Sequence, residues 1–207
     1  MNPGFQTLSG QSVDLIFPSP KDFRLADIAT QLSRIPRFCG GTKSHWSVAA
    51  HSQLVEQLLP VGAKPIVHLR ALLHDGHEFI TGDIPSPVQA ALRKRAGDDP
   101  LEQLKFRLQI ALERAAGIAL RHPDEVAREG ETIREADAKA LAVERRSLLV
   151  DRPWPQVVLP DISRIAHTCT SHGSVAEARA FRFRFTTLAK AAQVQPMRSF
   201  MEGLEDV

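Results

Sequence analysis

The stretch PIVHLRALLHDGHEFITGDIPSPV, residues 65–88, decides the fold. Its first part, Pro65 to Asp75, reads as a helix with proline at its start and apolar residues on both sides (Ile66, Val67, Leu69, Leu72 and Leu73). A helix apolar all round belongs in the middle of a domain. Gly82-Asp83-Ile84-Pro85 reads as a turn. Ser86-Pro87 then supplies an N-cap and a proline at the first helical position. Ionisable residues break the apolar run at His74, Asp75 and Glu78. If the helix continues past Gly76, then Val67, Ala71, His74 and Glu78 share one face.

The flanking segments are also helical. Upstream, Leu25, Ile28, Leu32 and Ile35 form one stripe, ended by Pro36. Arg37 to Trp46 is polar and glycine-containing, so it reads as a loop. Ser47 is the N-cap of a second helix with the stripe Val48, Leu54, Val55 and Leu58, stopped by Pro60. Downstream, helices are expected from Ser86 to about Arg95, from Pro100, and from Pro123 to about Ser147. Trp154 falls in a proline-rich link, and Ser174-x-x-Glu177 reads as a capping box opening a last helix. Residues 5–17 read as two short extended pieces around Ser9-Gly10. These signals predict an all-α helical bundle with a short extended N-terminal segment. They fit one domain over 1–207, with a core at about 22–147 and a C-terminal helical extension at about 161–195.

A chain of 207 residues, 43% hydrophobic and 24% charged, is the size and composition of one ordinary globular domain. Its 26 basic and 24 acidic residues leave a formal charge of +2, which gives no reason to expect a nucleic-acid polymer or a membrane as partner. No apolar run approaches the ~20 residues that span a bilayer, and no signal peptide is visible, so a cytoplasmic protein is expected. Cys39 and Cys169 are too few and too distant for a disulfide framework and are expected as free thiols.

Ionisable residues stand where apolar ones belong. In the second helix His51 lies three after Val48 and three and four before Leu54 and Val55, so it points inward. In the long helix Asp137 shares a stripe with Val126, Ile133, Leu141 and Glu144. An inward carboxylate without a partner costs several kcal/mol or loses its charge. Imidazoles and carboxylates pointing inward from three helices satisfy one another around a cation such as Zn, Mn, Fe, Co or Ni. The plain alternatives are a hydrogen-bonded core histidine and a carboxylate that caps a helix or pairs with a buried cation.

The string ALLHDGHEFITGDIPSPV, preceded by SVAAHS at 47–52, resembles the HD-domain metal-dependent phosphohydrolases. It is most similar to their 5′-deoxynucleotidase branch and to related short nucleotide phosphohydrolases. The shared pattern is His51, His74-Asp75, Glu78, Asp83 and Asp137, and the resemblance covers roughly residues 5 to 147. It implies the HD-type helical fold. It also implies that His51, His74, Asp75 and Asp137 hold one divalent transition metal, with Glu78 as general acid/base. Asp83, Arg37 and Phe38 are then the substrate contacts: Asp83 at the sugar, Arg37 at a phosphate or sugar oxygen, Phe38 packed on sugar or base. Phe38 stands where the nucleotidase branch has Trp, so a modest rather than strict deoxy preference is expected.

The function expected is hydrolysis of nucleotide phosphoesters by a 5′-deoxynucleotidase releasing phosphate. A triphosphohydrolase releasing triphosphate, with Mg joining the substrate, is the alternative. It needs extra cations, for which Arg34, Lys43 and Arg93-Lys94-Arg95 are candidates. A non-catalytic metal- or nucleotide-binding module is the alternative of another class. The partner is a small-molecule nucleotide, and relatives of this kind are often dimers or larger, so a homo-oligomer is expected. His77 is read as a solvent-facing residue, with a place behind the metal ligands as the alternative; His45 and His68 as surface residues, with phosphate contacts as the alternative; and the 93–95 cluster as a solvated face rather than a phosphate clamp.

Overall fold

The computed structural model describes residues 3–96, 99–119, 122–152 and 158–204; Trp154 lies outside them. The chain opens with a hairpin. Strand β1 (Gly4–Gln6) pairs antiparallel with β2 (Ser12–Asp14), Phe5 opposite Val13. Among the described residues eight α-helices follow: α1 (Leu25–Leu32), α2 (Val48–Gln57), α3 (Pro65–Leu72), α4 (Glu78–Thr81), α5 (Ser86–Ala96), α6 (Pro100–Ala115), α7 (Pro123–Leu148) and α8 (Ser174–Ala191). This is the all-α bundle with a short extended N-terminal segment that the patterning predicts. None of these helices is long and apolar enough to cross a membrane.

α3 reads apolar all round because it lies between two apolar clusters. Leu69, Leu72 and Leu73 join a large one with Phe23, Ile28, Leu112, Phe181, Phe185 and Phe200. Val67 and Ala71 join a smaller one with Val55, Ala136, Ala140 and Val143. α8 lies across α1 and α3, and α2 packs against both α3 and α7. Phe181 and Phe185 are fully buried, whereas Phe183 between them faces solvent. The small residues Ala136 and Ala140 let α7 come close to α2, which brings acidic positions of α7 beside His51 of α2.

Two local expectations are corrected. α3 does not run through Gly76. It ends at Leu72, and tight turns follow, the Gly76 N–H donating to Leu73 O at 2.8 Å and the Glu78 N–H to Asp75 O at 3.0 Å. A Cβ on Gly76 would lie 2.8 Å from Leu112 Cδ1 and 2.9 Å from Leu73 O, so α6 presses directly on this backbone. Glu78 therefore enters the site from the first turn of α4, not from the face of α3 that carries His74. The capping box at Ser174 is also not formed. α8 starts after Gly173, at φ +82°, and has no side-chain cap. Glu177 is buried instead, accepting from Ser47 Oγ at 2.5 Å and Ser171 Oγ at 2.9 Å. Tertiary partners take the carboxylate that the local motif would have used.

Candidate metal centre

Three segments bring the nitrogen and oxygen donors together. α2 supplies His51, the turn after α3 supplies His74 and Asp75, and α7 supplies Asp137. Ser47 fixes the start of α2 by accepting from the Ala50 N–H at 3.1 Å, which sets the turn on which His51 lies. His51 is fully buried, and its ring centroid is 5.3 Å from that of His74. His51 Nε2 lies 3.6 Å from Asp75 Oδ2 and 3.2 Å from Asp137 Oδ1, and His74 Nε2 lies 3.1 Å from Asp75 Oδ2. Donors bound at ~2.1 Å to one ion are separated by ~3.0–3.4 Å; the His51–Asp137 and His74–Asp75 spacings fall in that range, and the His51–Asp75 spacing is slightly wider. Both Nε2 atoms are buried without an aligned hydrogen-bond partner. His51, His74 and Asp75 form a cluster that can hold a metal ion, their donor atoms all within 4.8 Å of one another. Asp137 is less buried than its stripe suggests. Its side chain is 44% exposed, so it forms the open edge of the cluster.

The other nitrogen of each imidazole decides what Nε2 can do. His74 Nδ1 donates to the Ala71 carbonyl at 2.8 Å, which can only accept. His51 Nδ1 donates to Glu144 Oε1 at 2.7 Å. With the proton on Nδ1, a neutral imidazole presents the lone pair of Nε2 to a metal. Glu144 also accepts from Trp46 Nε1 at 2.7 Å and from Arg37 Nη2 at 3.2 Å. Three donors thus meet on one fully buried carboxylate. From its spacing alone Glu144 has a place on the stripe of Asp137 but no role. The available signal was a second acid seven residues on, at another position where an apolar residue is expected.

A second half-site adjoins the first. Residues Arg37–Gly40 form a 3-10 turn in which Phe38 and Cys39 take φ of 55° and 52°. Two successive non-glycine residues in the left-handed region are strained backbone, which persists where the surroundings require it. Arg37 Nη1 lies 3.5 Å from Asp83 Oδ2, while its Nε is buried with no partner. The Phe38 N–H donates to Asp83, and its ring stacks near the guanidinium, 5.5 Å from Cζ to centroid. Glu78 is buried in the field of Asp75, Asp83, Arg37 and His51, with Oε2 unpartnered. All eight residues singled out from the sequence therefore gather in two contiguous groups.

The electrostatics separate the carboxylates into two kinds. Burial opposes the charge on Asp75, but His74, His51 and Arg37 outweigh it and hold its pKa well below the usual carboxylate range. Burial likewise opposes Glu144, yet His51, Arg37 and the hydrogen bonds it accepts bring it down to about 2. Glu78 goes the other way. Burial and the charges of Asp75 and Asp83 push it up to about 9 against the pull of Arg37 and His51. Burial and Asp75 raise Asp83 too. For His51, burial and Arg37 oppose the imidazolium, but Glu144 and Asp137 prevail and raise it to about 10. A cation and a proton thus compete for the same Nε2.

The remaining expectations divide. His77 is buried, not a surface residue, and burial lowers its pKa to about 4. His68 is half-buried and bonded to Glu56 at 2.5 Å, which Arg184 also grips from α8. His45 is exposed, as are Arg34, Lys43 and the 93–95 cluster, in which Arg93 pairs with Asp99 at 2.6 Å. A cavity of about 240 Å³ opens beside His74 and Asp137, with Arg70, Gln109, Ile133 and Arg134 on its other walls, and gives the cluster a way to solvent.

Fold and site together describe a helical protein with a His/His/Asp cluster that could hold a metal ion. No family model matches the chain. It is 43% identical over 93 residues to an uncharacterized protein of Rhodobacter capsulatus, a match covering 42% of this chain and 47% of that protein, so it spans about half the length of that relative. It is 29% identical over 154 residues to the uncharacterized protein YfdR of Escherichia coli, covering 72% of this chain and 76% of YfdR. Neither relative brings an activity with it.

Proposed function

We propose that this protein is an HD-type, metal-dependent phosphohydrolase that removes the 5′-phosphate of nucleoside monophosphates. One observation carries the reading: two half-sites meet, the free Nε2 atoms of His51 and His74 beside Asp75 on one side and Arg37 beside Asp83 on the other. His51, His74, Asp75 and Asp137 would hold one divalent cation, which when bound acidifies water and polarises a phosphoryl oxygen. Arg37, fixed at Nη1 and Nη2, donates from Nε to a phosphoryl oxygen. Glu78, which keeps its proton at neutral pH in the metal-free site, gives a proton to the leaving 5′-oxygen and recovers one from the attacking water. A bond forms from the water oxygen to phosphorus, the bond from phosphorus to O5′ breaks, and nucleoside and phosphate leave. Asp83 holds Arg37 and reaches the sugar, on which Phe38 packs.

The monophosphate is preferred to the triphosphate because the candidate cations for a longer phosphate chain are exposed or engaged. Arg93 is paired with Asp99, and Arg34 and Lys43 point to solvent. The test is a panel of nucleoside mono- and triphosphates with Mn, Co or Mg, the products separated as phosphate or triphosphate. Phosphate from monophosphates is expected. Triphosphate as product would make the protein a triphosphohydrolase. Stoichiometric metal binding with no turnover of any nucleotide would make it a binding module.

A further inference from the structure

Glu144 touches both halves of the site, and its two oxygens divide the work. Oε1 takes the His51 Nδ1–H and the Trp46 Nε1–H, both at 2.7 Å. Oε2 takes the Arg37 Nη2–H at 3.2 Å. The carboxylate is wholly buried, so no water competes for these bonds. The rest of Arg37 is held by Asp83 at Nη1, which leaves Nε as the donor without a partner.

We propose that Glu144 is the positioning residue that joins metal binding to substrate binding, a role that rests on the phosphohydrolase reading above. One oxygen fixes His51 in the form with its proton on Nδ1, so that Nε2 is available to a cation. The other oxygen turns the Arg37 guanidinium so that Nε faces the substrate. Outer-shell carboxylates of this kind raise ligand basicity and orient the ring, and losing one typically costs 10–100-fold in metal affinity. Because one rigid group serves both ligands, each orders the group that the other needs, and the coupling is reciprocal.

Glu144→Gln keeps the shape and removes this double function. An amide has one acceptor and one donor end. If its NH₂ faces His51, Nδ1 must accept and the proton moves to Nε2, the wrong form for a metal. If its NH₂ faces Arg37, donor meets donor and the guanidinium loses its anchor.

The experiment titrates Mn²⁺ into metal-free wild type and Glu144→Gln by electron paramagnetic resonance, without nucleotide. Hydrolysis of a nucleoside monophosphate is then measured at saturating Mn²⁺. The expected result is Mn²⁺ affinity 10–100-fold weaker in Glu144→Gln, and a raised KM once metal is saturating. Affinity and KM both within twofold of wild type overturn the proposal. Wild type that binds Mn²⁺ tightly but hydrolyses no nucleotide, with Glu144→Gln still weakened, sinks the phosphohydrolase reading and leaves the role toward His51 standing. Wild type that binds no Mn²⁺ overturns both. If Glu144→Gln does not fold, long-range ¹H–¹⁵N spectra of zinc-loaded wild type decide. The His51 ring is expected with Nδ1 protonated, and a proton on Nε2 overturns the proposal.

Discussion

The two apolar clusters are built from different residues for different ends. The larger, with Phe23, Phe181, Phe185 and Phe200 among leucines, ties α1, α3, α6 and α8 together. The smaller packs Trp46, Leu54, Val55 and Leu148 against the small residues Ala71, Ala136 and Ala140, and carries His51, Asp137 and Glu144 at its margin. Large side chains bury more surface and hold the fold. Small ones bring two helices near enough for an imidazole and a carboxylate to meet. The difference teaches that stability and chemistry here draw on separate residues, so they should fail separately.

The sharpest separation is expected at Glu78. Its carboxyl lies buried among Asp75 and Asp83, where it contributes no ion pair that the fold needs. Glu78→Gln should lower turnover by roughly two to four orders of magnitude, the range for a positioned acid/base. Metal content should stay at the wild-type value. Near-full activity in Glu78→Gln would remove the residue from the chemistry.

The opposite failure is expected in the large cluster. Phe185 is fully buried and stacks against Phe200 at 5.4 Å between centroids. Phe185→Ala should cost about 3–5 kcal/mol, read by urea denaturation. The surviving folded fraction should bind metal at wild-type stoichiometry. Loss of metal affinity in parallel with stability would mean that the clusters are not independent.

Ala140 tests the smaller cluster from inside. It is fully buried on α7, three residues after Asp137 and four before Glu144. Ala140→Leu adds volume where α2 and α7 are closest and should cost about 1–3 kcal/mol. Unlike Phe185→Ala, it should also weaken metal binding, by pushing His51 away from Glu144. Unchanged metal affinity would show that the close approach of the two helices is not what positions the ligands.

Legibility in the sequence follows the same division. Helices α1, α2, α5, α6 and α7 are readable because proline, serine caps and apolar stripes are local signals. His51 and Asp137 are readable as ionisable groups on those stripes. The end of α3 is not, because Gly76 answers to Leu112, 36 residues away, and no local signal records that contact. The same holds for Glu177, which leaves its capping motif for Ser47 and Ser171, and for His77, whose burial depends on packing from outside its own helix. Glu144 is the instructive case. Its position shows that it points inward, but its partners Trp46, His51 and Arg37 lie about a hundred residues upstream, so its role becomes visible only when the helices are packed.

A pH series sharpens the picture of Glu78 in metal-free protein. Its folded pKa, about 9, is above its ordinary value of 4.5. Between these values the unfolded chain releases the proton and the folded chain keeps it, so stability falls as pH rises. The contribution is fully present below about pH 4.5 and lost by about pH 9. Its slope is at most about 1.4 kcal/mol per pH unit. Measured with chelator present, the stability of wild type minus that of Glu78→Gln should decline over this window. A flat difference would mean that Glu78 is ionised in the folded protein.

The smallest effect is expected at the sugar end, where Phe38 meets the substrate. The residue is half-buried, with its ring near the Arg37 guanidinium and its N–H on Asp83. Its φ of 55° already bears the strain of a Cβ in the left-handed region, so Phe38→Trp adds none to the backbone. An indole is wider than a phenyl ring and carries an N–H, so it narrows the space open to a 2′-hydroxyl. It also strengthens the contact with Arg37, since Trp offers the best face for a cation. Wild type should prefer deoxy- to ribonucleotides by about 1–3 kcal/mol, the worth of one pocket contact. Phe38→Trp should widen that gap by roughly tenfold in the ratio of kcat/KM for matched pairs, near 1.4 kcal/mol. The thermal midpoint and the Mn²⁺ affinity should not move, because Phe38 belongs to neither apolar cluster and is not one of the metal-ligating side chains. A ratio near one that Phe38→Trp leaves in place would show that this side chain does not read the sugar. A fall in Mn²⁺ affinity would show that the strained turn at 37–40 reaches the metal through Arg37 and Glu144, and the two half-sites would then be one.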